Sequence, residues 1–155
     1  MNGGNGGKIS LSVSDESYEE VRNFLEERNF VICDDAPYIL LQKDIYPEHI
    51  GAKDKRGEKS MIPVSDIVTI ESYGHTIEIH TLSDIFTTSE RLYQLEKMLD
   101  PNRFLRVSNS VIISRTQVAR ITPTLSMKFI LKMKDGSHVD VTRGYYNKFR
   151  DAFGI

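Results

Sequence analysis

The chain has 155 residues, 39% of them hydrophobic and 27% charged, with a formal net charge of −2; this is the profile of a globular protein of one domain, or of one domain with a small appendage, and not of a disordered tail. A single cysteine, Cys33, excludes an internal disulfide and a four-cysteine zinc site. The longest apolar runs, such as Ile39-Leu40-Leu41, fall far short of the roughly 20 residues of a membrane helix, and residues 1–7 lack the basic and apolar regions of a signal peptide, so a cytoplasmic location is expected.

Residues 1–7 are rich in Gly and Asn and read as a flexible N-terminus. Residues 8–13 alternate apolar and polar, as a strand does. Ser14 or Asp15 can cap a helix running to about Asn29, with Tyr18, Val21 and Leu25, plus Phe24, as its apolar stripe. Residues 30–33 and 38–46 are further apolar runs, separated by the turn sequence Asp34-Asp35-Ala36-Pro37. Residues 8–50 are therefore expected to form a small β-α-β-β unit, too small for an independent core. Residues 51–60 carry no large apolar side chain and read as an exposed linker or a long hairpin loop.

Residues 61–155 are expected to form a second domain, richer in strands. Residues 67–73 and 76–82 flank Gly74-His75. A two-residue loop there sets Ile70 opposite Ile79, Val68 opposite Thr81 and Ser72 opposite Ile77. Glycine at the first loop position suits a type II′ turn and puts His75 at the hairpin tip. A helix is expected over residues 89–99, with Leu92, Leu95 and Leu99 on one face, ended by Asp100-Pro101. Short strands are expected at 104–107, 111–114 and 120–122. In the last hairpin a three-residue loop, Lys134-Asp135-Gly136, sets Leu131 opposite Val139 and Phe129 opposite Val141, whereas a two-residue loop would mix the faces. A short helix over 145–153 would bury Tyr146, Phe149 and Phe153.

Several chemistries are set aside. Gly6-Gly7-Lys8 lacks the upstream glycine and the following Ser/Thr of a phosphate-binding loop. His75 and His80 are five apart on a strand pattern, point to opposite faces and do not share a metal. Cys33 has no histidine at motif spacing and reads as a structural thiol. Val31-Ile32-Cys33-Asp34-Asp35 resembles the acidic pair of a phosphate-accepting receiver domain, but too little chain follows, and a turn is the better reading. No catalytic constellation, metal-ligand set or cofactor motif stands out, so neither an enzyme nor a cofactor is expected.

Charge is uneven. Residues 1–60 hold eight Lys and Arg against twelve Asp and Glu, whereas residues 61–155 hold twelve against ten. Residues 101–134 contain no acid at all and carry seven cations: Arg103, Arg106, Arg115, Arg120, Lys128, Lys132 and Lys134. Such a stretch points to a polyanion-binding face, or to a surface whose acids come from elsewhere, for example Glu71, Glu78, Asp135 or Asp140.

Three segments carry a family resemblance. They are Ile62-Pro63-Val64-Ser65-Asp66-Ile67-Val68-Thr69-Ile70-Glu71-Ser72, then Phe104-Leu105-Arg106-Val107-Ser108-Asn109-Ser110-Val111-Ile112-Ile113, and Val141-Thr142-Arg143-Gly144-Tyr145-Tyr146. With Leu92 to Leu99 between them, residues 60–155 resemble a LytTR domain, the DNA-binding module of LytR/AlgR-type bacterial response regulators. The chain departs from the pattern at Ser114, where the family usually has Asn. The resemblance implies a mainly β (α+β) fold, elongated and antiparallel, of about ten short strands with minor helices. Loops on one edge enter successive major grooves of bent DNA. By position, the family's base contacts fall on His75, Asn109 and Arg143.

On this reading Arg143 can donate two hydrogen bonds to a guanine edge, Asn109 can pair with an adenine edge or a phosphate, and His75 can donate to a base acceptor. Arg106, Arg115, Lys128 and Lys132 are candidate phosphate contacts. Each has a plainer reading: Arg143 pairing with Asp140 or Asp151, Asn109 in a turn, His75 solvated in its loop, Arg106 as a strand partner, Lys132 simply exposed. The expected protein is a transcriptional regulator without a receiver domain, acting as a homodimer on paired repeats of double-stranded DNA, with no small-molecule substrate. Residues 8–50 would serve dimerisation through an edge strand or capture by a partner, and the resemblance makes a membrane-bound regulatory protein one such partner. The rival reading is a protein-interaction module that does not bind DNA. RNA binding is disfavoured because no aromatic platform is interleaved with the basic residues.

Overall fold

The structure, a computed structural model, describes residues 6–42 and 45–155. The chain divides into two compact units between Ile45 and Tyr46.

In the first unit, β1 (Gly6–Ser12), α1 (Asp15–Glu26), β2 (Phe30–Ile32) and β3 (Tyr38–Leu41) form a three-stranded sheet in the order β2-β1-β3, parallel throughout. Ser14 caps α1 through a hydrogen bond from the Ser17 amide to its hydroxyl at 3.3 Å, and Asp15 and Glu16 complement the positive helix start. Asn29, at φ +66°, turns the chain from helix to strand. On β3, Tyr38, Ile39 and Leu41 are exposed, at 73%, 56% and 66%. The flexible segment expected over 1–7 lies outside the described residues as far as position 5, while Gly6 and Gly7 open β1.

Two boundaries need correction. The first unit ends at Ile45 rather than at 50, and of the two readings of 51–60 the linker fails: the segment belongs to a β-hairpin, with strands reaching further into it than a long loop would allow. In it β4 (His49–Lys53) pairs antiparallel with β5 (Lys59–Pro63). Ile50 and Ala52 point inward from β4, and Ile62 from β5. Small Ala52 and the flanking isoleucines supply the buried face that a count of large apolar side chains within 51–60 cannot see. The turn is built by the Asp54 carboxylate, which accepts from the amides of Arg56 and Glu58 at 2.8 and 3.0 Å, and by Gly57 at φ +80°.

The second unit continues through β6 (Ile67–Tyr73), β7 (Thr76–Thr81), β8 (Ile85–Thr88), α2 (Leu92–Met98), β9 (Phe104–Arg106), β10 (Val111–Ser114), β11 (Val118–Pro123), β12 (Phe129–Met133), β13 (His138–Val141) and α3 (Tyr146–Phe153). One sheet of seven strands runs β5-β4-β8-β7-β6-β10-β9, and a second runs β11-β12-β13. All pairings are antiparallel. The fold is mainly β, as the sequence implies. Strand β8 carries no sequence signal of its own, because only Ile85 and Phe86 are apolar in it and two threonines follow.

Two hydrophobic cores line the large sheet. One gathers Ile50, Ile62, Ile70, Ile79 and Ile112 with Leu92, Leu95 and Leu99, the stripe of α2. The other gathers Val68, Leu105, Val107 and Ile113 with Phe129, Leu131, Val141 and Phe149 of the small sheet and α3. In the last hairpin, Leu131 faces Val139 and Phe129 faces Val141, with Gly136 at φ +88°, as the three-residue loop requires. In the hairpin of β6 and β7, Ile70 faces Ile79 and Ser72 faces Ile77, also as expected. The third expected pair is corrected: Ile67, not Val68, faces Thr81, because a bulge lies between Ile67 and Thr69. The bulge sends Ile67 into the first core and Val68 into the second, and both are completely buried.

Candidate functional site

Gly74 and His75 form the whole turn between β6 and β7, since Tyr73 pairs with Thr76. Gly74 sits at φ +61° and His75 keeps a negative φ, the combination a type II′ turn needs. His75 is exposed at the tip.

The next turn along this edge precedes β10. Ser72 donates its amide to the Ser110 carbonyl at 2.8 Å, and Glu71 pairs with Val111. The bend at residues 108–110 therefore lies at the same end of the sheet as Gly74-His75. His75 stands in the two-residue turn that begins directly after Tyr73, the strand neighbour of Ser72. Asn109 is exposed in this bend. A third turn follows β13: the Thr142 amide donates to the Val107 carbonyl at 3.0 Å, and a 3-10 turn runs from Arg143 to Tyr145. The Tyr145 hydroxyl donates to Asn109 Oδ1 at 3.2 Å. Arg143 is exposed, and among the described residues no hydrogen bond or ion pair engages its guanidinium. The three turns thus share one edge of the second unit, bringing His75, Asn109 and Arg143 to one rim.

The four cations expected to touch phosphate fare differently. Lys128 is exposed beside Phe129, which pairs with Val141, so it stands at the Arg143 end of the small sheet. Lys132 is exposed too, but four residues further on, within β12, opposite Arg120 and His138, and away from the rim. Arg106 is spent internally. Its Nε donates to the Ser108 carbonyl at 3.1 Å, its Nη2 to the Asn109 carbonyl at 2.6 Å, and Glu96 stands 3.7 Å from its Nη1. It clamps the bend that carries Asn109. Arg115 lies at the opposite end of β10. Its guanidinium donates to the carbonyls of Asn102 and Ala152 and sits 5.3 Å from the Phe153 ring centre, tethering α3. The acid-free stretch therefore does not make a single face, because β9 and β10 carry its cations to both ends of the sheet.

Two features were missed from the sequence. Tyr145 orients the Asn109 amide so that its NH₂ group is left to donate outward; only the Thr-Arg-x-Tyr pattern hinted at it. The hairpin of β4 and β5 brings Lys53 directly opposite Lys59. These two line a groove of about 550 Å³ whose walls also include His75, Thr87 and Thr88. Like charges directly opposite each other are unfavourable in an isolated sheet, so this pair favours an anionic neighbour.

A sequence model described as the LytTr DNA-binding domain matches residues 58–154. The chain is 27% identical over 95 residues to the sensory transduction protein LytT of Bacillus subtilis, and 24% identical over 95 residues to the transcriptional regulatory protein LytR of Staphylococcus aureus. Each alignment takes in 61% of this chain and 39% of the relative, so this chain matches well under half the length of either. A solved LytTr DNA-binding domain from Bacillus cereus superposes with a TM-score of 0.67 at 23% identity, covering 70% of this chain and 99% of that one; this likeness shows the fold.

Proposed function

The chain belongs to the LytTr DNA-binding domain family, and on that premise we propose that it is a sequence-specific DNA-binding transcriptional regulator that reads the major groove with turn residues and bends the duplex. One observation carries the reading: His75, Asn109 and Arg143 come from three separate turns, are all exposed, and are tied to one edge by the Ser72–Ser110, Val107–Thr142 and Asn109–Tyr145 hydrogen bonds.

Roles follow from donor geometry. Arg143 offers two parallel N–H groups to the O6 and N7 acceptors of guanine. Asn109 offers its NH₂ group to a base or phosphate acceptor. His75 donates from the neighbouring turn, more strongly when protonated. Lys128, Lys53 and Lys59 meet phosphates and fix the register. Arg106 is a positioning residue for Asn109, and Arg115 and Lys132 have no part in the interface. The second unit is the DNA-binding domain. The first unit serves control, with the exposed apolar strand β3 favouring dimerisation, so that two protomers occupy paired repeats in the cytoplasm; capture by a membrane-bound regulator would use the same strand.

Selection of bound duplexes from a random pool, followed by a salt titration on the winner, tests this. Three phosphate contacts per protomer predict a slope of log K against log salt of about −2.7 for each protomer bound. A pool that yields no enriched sequence, with no salt-sensitive binding, overturns the reading and favours a protein-interaction module.

A further inference from the structure

On the face of the β6–β7 hairpin, Glu71 and Glu78 stand directly opposite each other. Two carboxylates in that register repel unless a cation lies between them. His80, two residues along β7 on the same face, aims one ring nitrogen at both: its Nε2 is 3.0 Å from Glu71 Oε2 and 2.8 Å from Glu78 Oε2. The three side chains are partly buried, at 18%, 30% and 21% exposure for Glu71, Glu78 and His80. Tyr73 donates its hydroxyl to Glu71 Oε2 at 2.7 Å and holds that carboxylate in place.

We propose that Glu71, Glu78 and His80 form a binding site for a first-row divalent cation of the zinc or manganese class. One imidazole nitrogen and two carboxylate oxygens are a mixed donor set suited to such ions rather than to calcium or magnesium, which take oxygen alone. The spacing fits. With bonds of about 2.1 Å, neighbouring ligand atoms in an octahedral shell lie about 3.0 Å apart, and His80 Nε2 lies 3.0 and 2.8 Å from the oxygens of Glu71 and Glu78. The Tyr73 hydroxyl is the outer-shell partner that ligating carboxylates characteristically have. Water fills the remaining positions. Because Glu71 belongs to β6 and the other two ligands to β7, a bound ion pins the two strands together beneath the turn that carries His75. This site does not depend on the DNA reading, since its donors are not the rim residues.

A protonated His80 shared by two carboxylates would hold the same atoms together without metal, and a titration separates the two. Full-length protein stripped with chelator is titrated with zinc chloride and with manganese chloride, by calorimetry and by the electron paramagnetic resonance of free manganese. The expected result is one equivalent bound at micromolar concentration. Glu78→Gln and His80→Ala, each checked for native circular dichroism, should weaken it at least tenfold, while His138→Ala, on β13, should leave it unchanged. No binding up to millimolar metal overturns the site, and so does binding that survives both substitutions.

Discussion

Tyr145 and Asn109, 36 residues apart in sequence, are joined by a 3.2 Å hydrogen bond in which the phenol donates to the amide oxygen. The bond links the turn after β13 to the bend before β10. It also fixes which end of the Asn109 amide faces outward. The rim is therefore preorganised before any ligand arrives, and rotamer freedom that binding would otherwise have to restrict is already restricted.

Tyr145→Phe removes that bond and little else. DNA affinity should fall about 2- to 10-fold, the equivalent of roughly 0.5–1.5 kcal/mol for one hydrogen bond. The melting temperature should change little, because the bond is exposed. Fluorescence anisotropy on the selected duplex and calorimetry on the free protein measure the two.

Arg143→Ala should relax base preference at one position and weaken specific binding by roughly 1–3 kcal/mol. Repeating the duplex selection with the variant reads this directly. An unchanged consensus would show that Arg143 does not read a base.

Arg106→Ala and Lys128→Ala separate positioning from charge. Loss of Lys128 should weaken all duplexes alike and lower the salt slope by about one. Loss of Arg106 should weaken specific binding and leave the salt slope unchanged, because its guanidinium is already used by the carbonyls of Ser108 and Asn109. Faster amide exchange at residues 108–110 in the Arg106 variant would accompany it.

Tyr73 supplies a pH-dependent prediction. The Glu71 carboxylate, which accepts a hydrogen bond from the Tyr73 hydroxyl, pushes the pKa of Tyr73 up to about 12. Between the ordinary tyrosine value of about 10 and this one, the unfolded chain loses the proton first. The stabilising hydrogen bond is thus fully present below about pH 10 and is lost as pH rises towards 12. Tyr73 is 55% exposed, so solvent screening keeps the stability effect small. The phenolate absorbance of wild type minus Tyr73→Phe should show a single step near pH 12.

Much of the site is written locally in the chain. Gly74-His75 between two alternating runs fixes a hairpin and its tip, since strand period and turn chemistry act over a few residues. The last hairpin is readable for the same reason. What the sequence hides depends on distant partners. Arg106 and Arg115 are indistinguishable from phosphate contacts until the carbonyls of Asn109 and Ala152 are seen beside them. The strands β4 and β5 are harder to read than their turn, because their inward face relies on small Ala52 and on residues beyond the polar window. The bulge after Ile67 was hidden because every residue from Ile67 to Ile70 is buried, so alternation gives no register there.

That bulge has a consequence for how the second unit comes apart. It makes β6 a party wall, with Ile67 and Ile70 on one side and Val68 on the other. Both cores lose packed side chains when this strand leaves the sheet. The two halves should therefore unfold in one cooperative step, and the amides of residues 67–70 should be the last in the molecule to exchange with solvent.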